Sequence, residues 1–137
     1  NLSILFKEIE KNFKNKDLIL VSIENISIVG RHSSLKRCFE NIIQNGLVYG
    51  NKVYIKLRKS SNRAVINIDD DGPGIPMDQY KNVFKPFFRL DKSRSLNTSG
   101  VGLGLAIVED IVNSHGGIIQ LDKSERGGLQ VKTSLPF

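Results

Sequence analysis

The sequence predicts an α+β fold, a mixed and mostly antiparallel sheet covered on one face by helices. Three observations carry the expectation. Three stretches space their apolar residues as helices do, and five short apolar runs have the length of strands. Two pairs of those runs are joined by turn-forming residues, as hairpins are.

The elements follow in order. Leu2, Leu5, Phe6, Ile9 and Phe13 recur at helical spacing and predict a helix from Leu2 to about Phe13. Leu18 to Ile23 is a short apolar run and reads as a strand. Ser33 and Ser34 offer an N-cap for a helix from Leu35 to Tyr49, which Gly50 and Asn51 end. Val53–Leu57 and Ala64–Ile68 are strands with the turn signal Ser60-Ser61-Asn62 between them. A glycine-containing loop spans Asp71–Pro76, and Met77–Phe84 is expected to be a short helix. Arg89–Ser99 is polar without a period and reads as a loop. Gly100–His115 is expected to form a second long helix, ended by Gly116 and Gly117. Ile118–Leu121 and Leu129–Leu135 are strands joined by a turn containing Gly127 and Gly128.

The chain has 137 residues, enough for one domain with one core. Apolar residues make up 39% and charged residues 25%, an ordinary globular balance. No apolar run approaches the roughly 18–20 residues that span a bilayer. The first residues, Asn1-Leu2-Ser3, carry no initiator Met and no signal-peptide pattern, so the chain reads as a piece of a longer protein. The single cysteine, Cys38, excludes an internal disulfide and sits among apolar positions as a buried thiol. A net charge of +6 suits a polyphosphate or an acidic partner. The basic residues are scattered, without interleaved aromatics, which argues against a nucleic-acid surface.

Three segments carry chemistry. Asn41 and Asn45 lie four apart on the long helix and stack on one face. Two carboxamide oxygens so placed can meet Mg²⁺, a hard cation that keeps several waters; two surface asparagines are the plain alternative. In the strand Ala64–Ile68, alternation puts Ala64, Ile66 and Ile68 on one face, and Asp70 continues it. Asp70 is therefore expected on the helix-covered face, with Asp69 and Asp71 toward solvent. Gly72 and Gly74 beyond it let a flat ring approach the backbone. A buried acid beside such a wall suits an adenine amine, although an Asp-Gly turn after a strand is also common. The third segment, Gly100-Val101-Gly102-Leu103-Gly104-Leu105, enters a helix whose free N–H groups favour phosphate. It matches neither G-x-G-x-x-G nor the Walker pattern. Arg89, Lys92 and Arg94 precede it and can close over phosphates or remain solvated. His32 and His115 neighbour no metal-ligand cluster and read as structural; His115 ends a helix, where positive charge is favoured.

The order of these segments is more specific than any one of them. An asparagine helix, D-x-G-x-G, a phenylalanine cluster at Phe84-Lys85-Pro86-Phe87-Phe88, a basic loop and G-x-G-x-G-L resemble the catalytic domain of sensor histidine kinases. The likeness covers nearly the whole chain, so residues 1–137 are expected to be one catalytic and ATP-binding domain. Asp70–Ile75, Gly102–Val108 and Ser124–Leu129 look most like the EnvZ-type osmosensor subgroup.

The resemblance implies a two-layer α/β sandwich of the Bergerat type with ATP and Mg²⁺ as cofactors. It also implies the site. Asn41 and Asn45 would be catalytic, with Asn45 the principal Mg²⁺ ligand. Tyr49 would lie against the nucleotide. Asp70 would hold adenine, walled by Gly72 and Gly74. Phe84 and Phe87 would anchor a lid from Arg89 to Ser99. Gly100, Gly102 and Gly104, with Leu103 and Leu105 in the same string, would line the phosphates. The implied partners are a helical domain bearing the acceptor histidine and a response regulator, with no nucleic acid and no direct membrane contact. A monomeric domain is expected, on the cytoplasmic side of a parent anchored in the inner membrane. Val48 stands where many relatives have Lys or Arg, and Val101 where many have Thr or Ser. These two positions support a second reading, a nucleotide-sensing or protein-docking module of the same fold without catalysis.

Overall fold

A computed structural model of the chain describes residues 1–13, 17–85 and 104–137. Helices α1 (Leu2–Asn12), α2 (His32–Tyr49) and α3 (Gly104–Ser114) accompany strands β1 (Leu18–Ile23), β2 (Val53–Ser60), β3 (Arg63–Asp70), β4 (Ile118–Lys123) and β5 (Leu129–Pro136). The strands form one sheet in the order β1-β2-β3-β5-β4. β1 runs parallel to β2, and the other pairs are antiparallel. The α+β expectation therefore holds. No described helix is long and apolar enough to cross a membrane.

Register explains the layers. Leu57, Ile66 and Thr133 are cross-strand partners in one row, and Ile55, Ile68 and Val131 in the next. All six are buried. Helical residues complete the core: Leu2, Leu5, Phe6 and Ile9 from α1, Cys38, Phe39, Ile42 and Ile43 from α2, and Val108 and Val112 from α3. Phe6 and Phe39 join the first two helices, ring centroids 4.8 Å apart. Phe13 packs partly buried against the same core. The next row pairs Val53 with Asp70, so a carboxylate takes the place of an aliphatic side chain.

Several elements differ from expectation. Helix α2 begins at His32, not Leu35, with Arg31 rather than a serine at its N-cap. Tertiary contacts hold that first turn. The Arg31 N–H donates to His115 Nε2 at 3.1 Å, and its guanidinium to Ser114 Oγ at 2.8 Å. β2 and β3 are longer than their apolar runs because polar residues extend the pairing: exposed Arg58 and Lys59 on β2, half-buried Arg63 and Asp69 on β3. Their hairpin turns at Ser61, whose φ is 54°. Met77–Phe84 forms two 3₁₀ turns, Met77–Gln79 and Asn82–Phe84, rather than one helix; the short loops tighten to i→i+3 bonds. Helix α3 ends as expected at Gly116, with φ +71°. Gly117 N–H reaches Val112 O at 2.9 Å and Gly116 N–H reaches Asn113 O at 3.1 Å, the paired bonds of a Schellman cap.

Candidate functional site

Asp70 ends β3 on the helix-covered face, as alternation requires, and is only 8% exposed. Its Oδ1 accepts from Gly72 N–H at 3.0 Å and from Leu129 N–H at 3.2 Å. Oδ2 has no hydrogen-bond partner among the described residues. Burial raises the pKa of this carboxyl above the ordinary aspartate value, the two backbone donors oppose the rise, and the charges of Asp71 and Asp69 reinforce it. One fixed oxygen and one unpaired oxygen make a directional acceptor for an amine.

Glycines surround this acid. A Cβ on Gly46 would lie 2.8 Å from Val53 Cγ2 and 3.3 Å from Asp70 Cβ, so the glycine lets α2 settle onto the end of β3. A Cβ on Gly128 would overlap Asp70 Oδ1. Gly74 has φ +78° and faces Gly128, which brings the loop after β3 against the β4–β5 turn. Gly46, Gly128 and the Leu129 amide were not singled out from sequence for this site. The Gly127-Gly128 pair is the signal in the sequence, but it reads there only as a turn.

Asp69 and Asp71 do not simply face solvent. Asp71 is half-buried, and its Oδ1 accepts from Asn51 N–H at 2.7 Å and Lys52 N–H at 2.9 Å. Those bonds hold its pKa below the usual value and tie the end of α2 to the exit of β3. Asp69 is also half-buried; its Oδ2 accepts from Ser124 Oγ at 2.7 Å. Both carboxylates are drawn into backbone and hairpin contacts that lie far apart in sequence.

Asn41 and Asn45 are half-buried on α2, one turn apart, and Asn45 directly precedes Gly46. Neither carboxamide has a hydrogen-bond partner among the described residues. Among those residues no group of three or more His, Cys, Asp and Glu is placed to hold a metal. Tyr49 is the last residue of α2. Gly104 opens α3, and among the described residues nothing lies within 4 Å of where its Cβ would be. Leu105 is buried, so its side chain serves the core and only its backbone faces the helix entrance. Phe84 packs partly buried against the core. Phe87, Arg89, Lys92, Arg94, Gly100, Gly102 and Leu103 lie outside the described residues.

Residues 30–137 match the family model of the histidine kinase-, DNA gyrase B- and HSP90-like ATPases. The chain belongs to this ATPase family. Within it, the chain is 43% identical over 104 residues to the sensor protein RstB of Escherichia coli, covering 75% of this chain and 24% of that protein. It is 39% identical over 107 residues to the sensor histidine kinase GtrS of Pseudomonas aeruginosa, covering 78% and 22%. The chain thus spans less than a quarter of these relatives' lengths. Among solved structures, the mycobacterial sensor histidine kinase MprB superposes with a TM-score of 0.85 at 27% identity, covering 98% of this chain and 93% of that one. The histidine kinase domain of the E. coli osmosensor EnvZ gives 0.72 at 36% identity, covering 96% and 83%. The Bergerat fold and the likeness to sensor histidine kinase catalytic domains, EnvZ among them, are established on these grounds.

Proposed function

We propose that this chain is the catalytic, ATP-binding domain of a two-component sensor histidine kinase and delivers the γ-phosphoryl group of ATP to a histidine on a separate helical domain. The observation that carries the reading is Asp70, with Oδ1 held by two backbone amides and Oδ2 without a partner among the described residues, in a glycine-walled niche. Oδ2 accepts the exocyclic amine of adenine, and Gly72 and Gly74 let the ring lie against the backbone. Tyr49 lies along the nucleotide.

Asn41 and Asn45 fit Mg²⁺, since both offer unpaired hard oxygens on one helix face. When bound, the ion neutralises phosphate charge. Asn45 is the principal ligand, with Asn41 beside it. Gly100, Gly102 and Gly104, with Leu103 and Leu105, present backbone N–H groups to the phosphates. Arg89, Lys92 and Arg94 close over them. The domain's part in catalysis is positioning and charge neutralisation. The nucleophile belongs to the helical domain, and a response regulator receives the phosphoryl group afterwards. Residues 1–137 act as one unit on the cytoplasmic side of a kinase anchored in the inner membrane.

Calorimetric titration of ADP and ATP, with and without Mg²⁺, tests the reading. Asp70→Asn should weaken binding roughly 10–150-fold, the worth of a hydrogen bond to a buried charge. Wild-type protein that binds no nucleotide at millimolar concentration would overturn it. The isolated chain should bind ATP without becoming phosphorylated; stable autophosphorylation would contradict a separate acceptor domain.

A further inference from the structure

The second face of the sheet, opposite the helices, carries an organised set of charges. Alternation places Lys56 and Arg58 of β2, Arg63, Val65 and Asn67 of β3, and Lys132 of β5 on it. Asn67 pairs in register with Lys56 on one side and Lys132 on the other, so two cations flank one carboxamide across three strands. Val65 lies between Arg58 and Ser134 in the next row. A shallow cavity of about 250 Å³ opens there, with Val65 and Ile118 as its apolar lining and Arg58 and Lys132 among its walls.

The two ends of this face differ. Toward the exit of β3 the charges are already satisfied: Asp69 accepts from Ser124, and the Arg126 guanidinium lies 3.6 Å from the centroid of the Tyr54 ring. At the other end Arg63 is pinned to Ser134 O at 3.0 Å, but Lys56, Arg58 and Lys132 have no acidic partner among the described residues. Asn67 Oδ1 is buried and lacks a donor among those residues. A protein ordinarily satisfies such an atom.

We propose that this basic, helix-free end of the sheet docks an acidic segment of a partner protein, with carboxylates on Lys56, Arg58 and Lys132 and an aliphatic side chain over Val65 and Ile118. Charge complementarity selects an anionic partner, because like charges unpaired across neighbouring strands repel. The apolar floor between the cations selects a segment in which acidic and aliphatic residues alternate. β2 and β5 are two strand spacings apart, about 10 Å. The patch is thus far smaller than the roughly 800 Å² per partner of a stable interface, and the contact is peptide-sized and transient. Single-stranded nucleic acid fits less well, because Tyr54, which could stack a base on this face, is already covered by Arg126. The patch lies on the opposite face of the sheet from Asp70, so its occupant and a nucleotide do not compete.

Fluorescence anisotropy tests this with a labelled synthetic peptide of alternating aspartate and valine, and a control with asparagine for each aspartate. The acidic peptide should bind at low salt, weaken as salt rises, and bind well above the control. Arg58→Glu combined with Lys132→Glu should weaken it at least about tenfold while leaving ADP binding unchanged. If that pair fails to fold, Lys132→Gln alone should cost about threefold. Equal binding of the two peptides, or unchanged affinity in these variants, would overturn the proposal. Displacement of the peptide by duplex DNA at lower concentration would also overturn it, showing a surface general to polyanions.

Discussion

Gly128 and Asp70 meet main chain to carboxylate: a side chain at Gly128 would occupy the space of Asp70 Oδ1 and come within 2.5 Å of Asp70 O and 2.8 Å of Gly72 N. Gly128 precedes Leu129, whose amide holds the same Oδ1. Gly128→Ala should therefore displace the acid rather than merely stiffen a turn. Overpacking of this kind costs about 1–3 kcal/mol. We expect a lowered Tm and a weakened ADP titration together. Gly127→Ala is the control: Gly127 has φ +100°, but no described residue lies within 4 Å of where its Cβ would be, so it should lower stability and leave nucleotide affinity nearly unchanged.

Asp70→Asn should separate stability from binding. Burial raises the Asp70 pKa above 3.8, so between the unfolded and the folded value the folded state holds a proton that the unfolded chain has lost. The stability contributed by the protonated acid is fully present below the unfolded value and lost as pH rises through the folded one. At neutral pH the ionised carboxylate therefore costs stability. Asparagine keeps an oxygen for the Gly72 and Leu129 amides without the charge. We expect the nucleotide-free variant to melt at or above the wild-type temperature at neutral pH. That advantage should shrink as the pH falls through the raised folded value and be gone below about 3.8, while ADP binding stays weakened throughout. A variant that melts well below wild type at neutral pH would show that the charge is compensated in the folded state.

Much of this was legible from local pattern, and the exceptions share a cause. Period two placed Asp70 on the covered face, and helical spacing gathered Leu2, Leu5, Phe6 and Ile9, all of them in the core. The burial of Cys38 was equally plain. The roles of Asp71, Gly46 and Gly128 were not. Each depends on a neighbour distant in sequence: the amides of Asn51 and Lys52, the side chain of Val53, and the carboxylate of Asp70. The start of α2 was misplaced for the same reason. Ser33 and Ser34 look like caps locally, but His115 and Ser114, more than eighty residues away, hold the first turn through Arg31.

Asp71 should behave oppositely to Asp70 in acid. Its backbone partners depress its pKa, so its contribution to stability is present above the ordinary value and lost as pH falls through the depressed one. Asp71→Ala removes the acceptor for two amides and should cost about 1 kcal/mol at neutral pH. The difference from wild type should disappear in strong acid. Urea melts at several pH values measure both limbs.

Cys38 reports on the whole core. The thiol is fully buried in α2, and desolvation pushes its pKa up to about 12. Almost none of it is thiolate at neutral pH, and no reagent reaches it in the folded state. Labelling by a thiol reagent should then proceed only through opening of the α2 face, at a rate set by the population of opened molecules. A ligand of the folded state lowers that population by mass action, so saturating ADP should slow labelling in proportion to its occupancy. Asp70→Asn should label at or below the wild-type rate without nucleotide and lose the protection by ADP. Labelling of wild type that is fast and indifferent to ADP would mean that α2 opens independently of the nucleotide site.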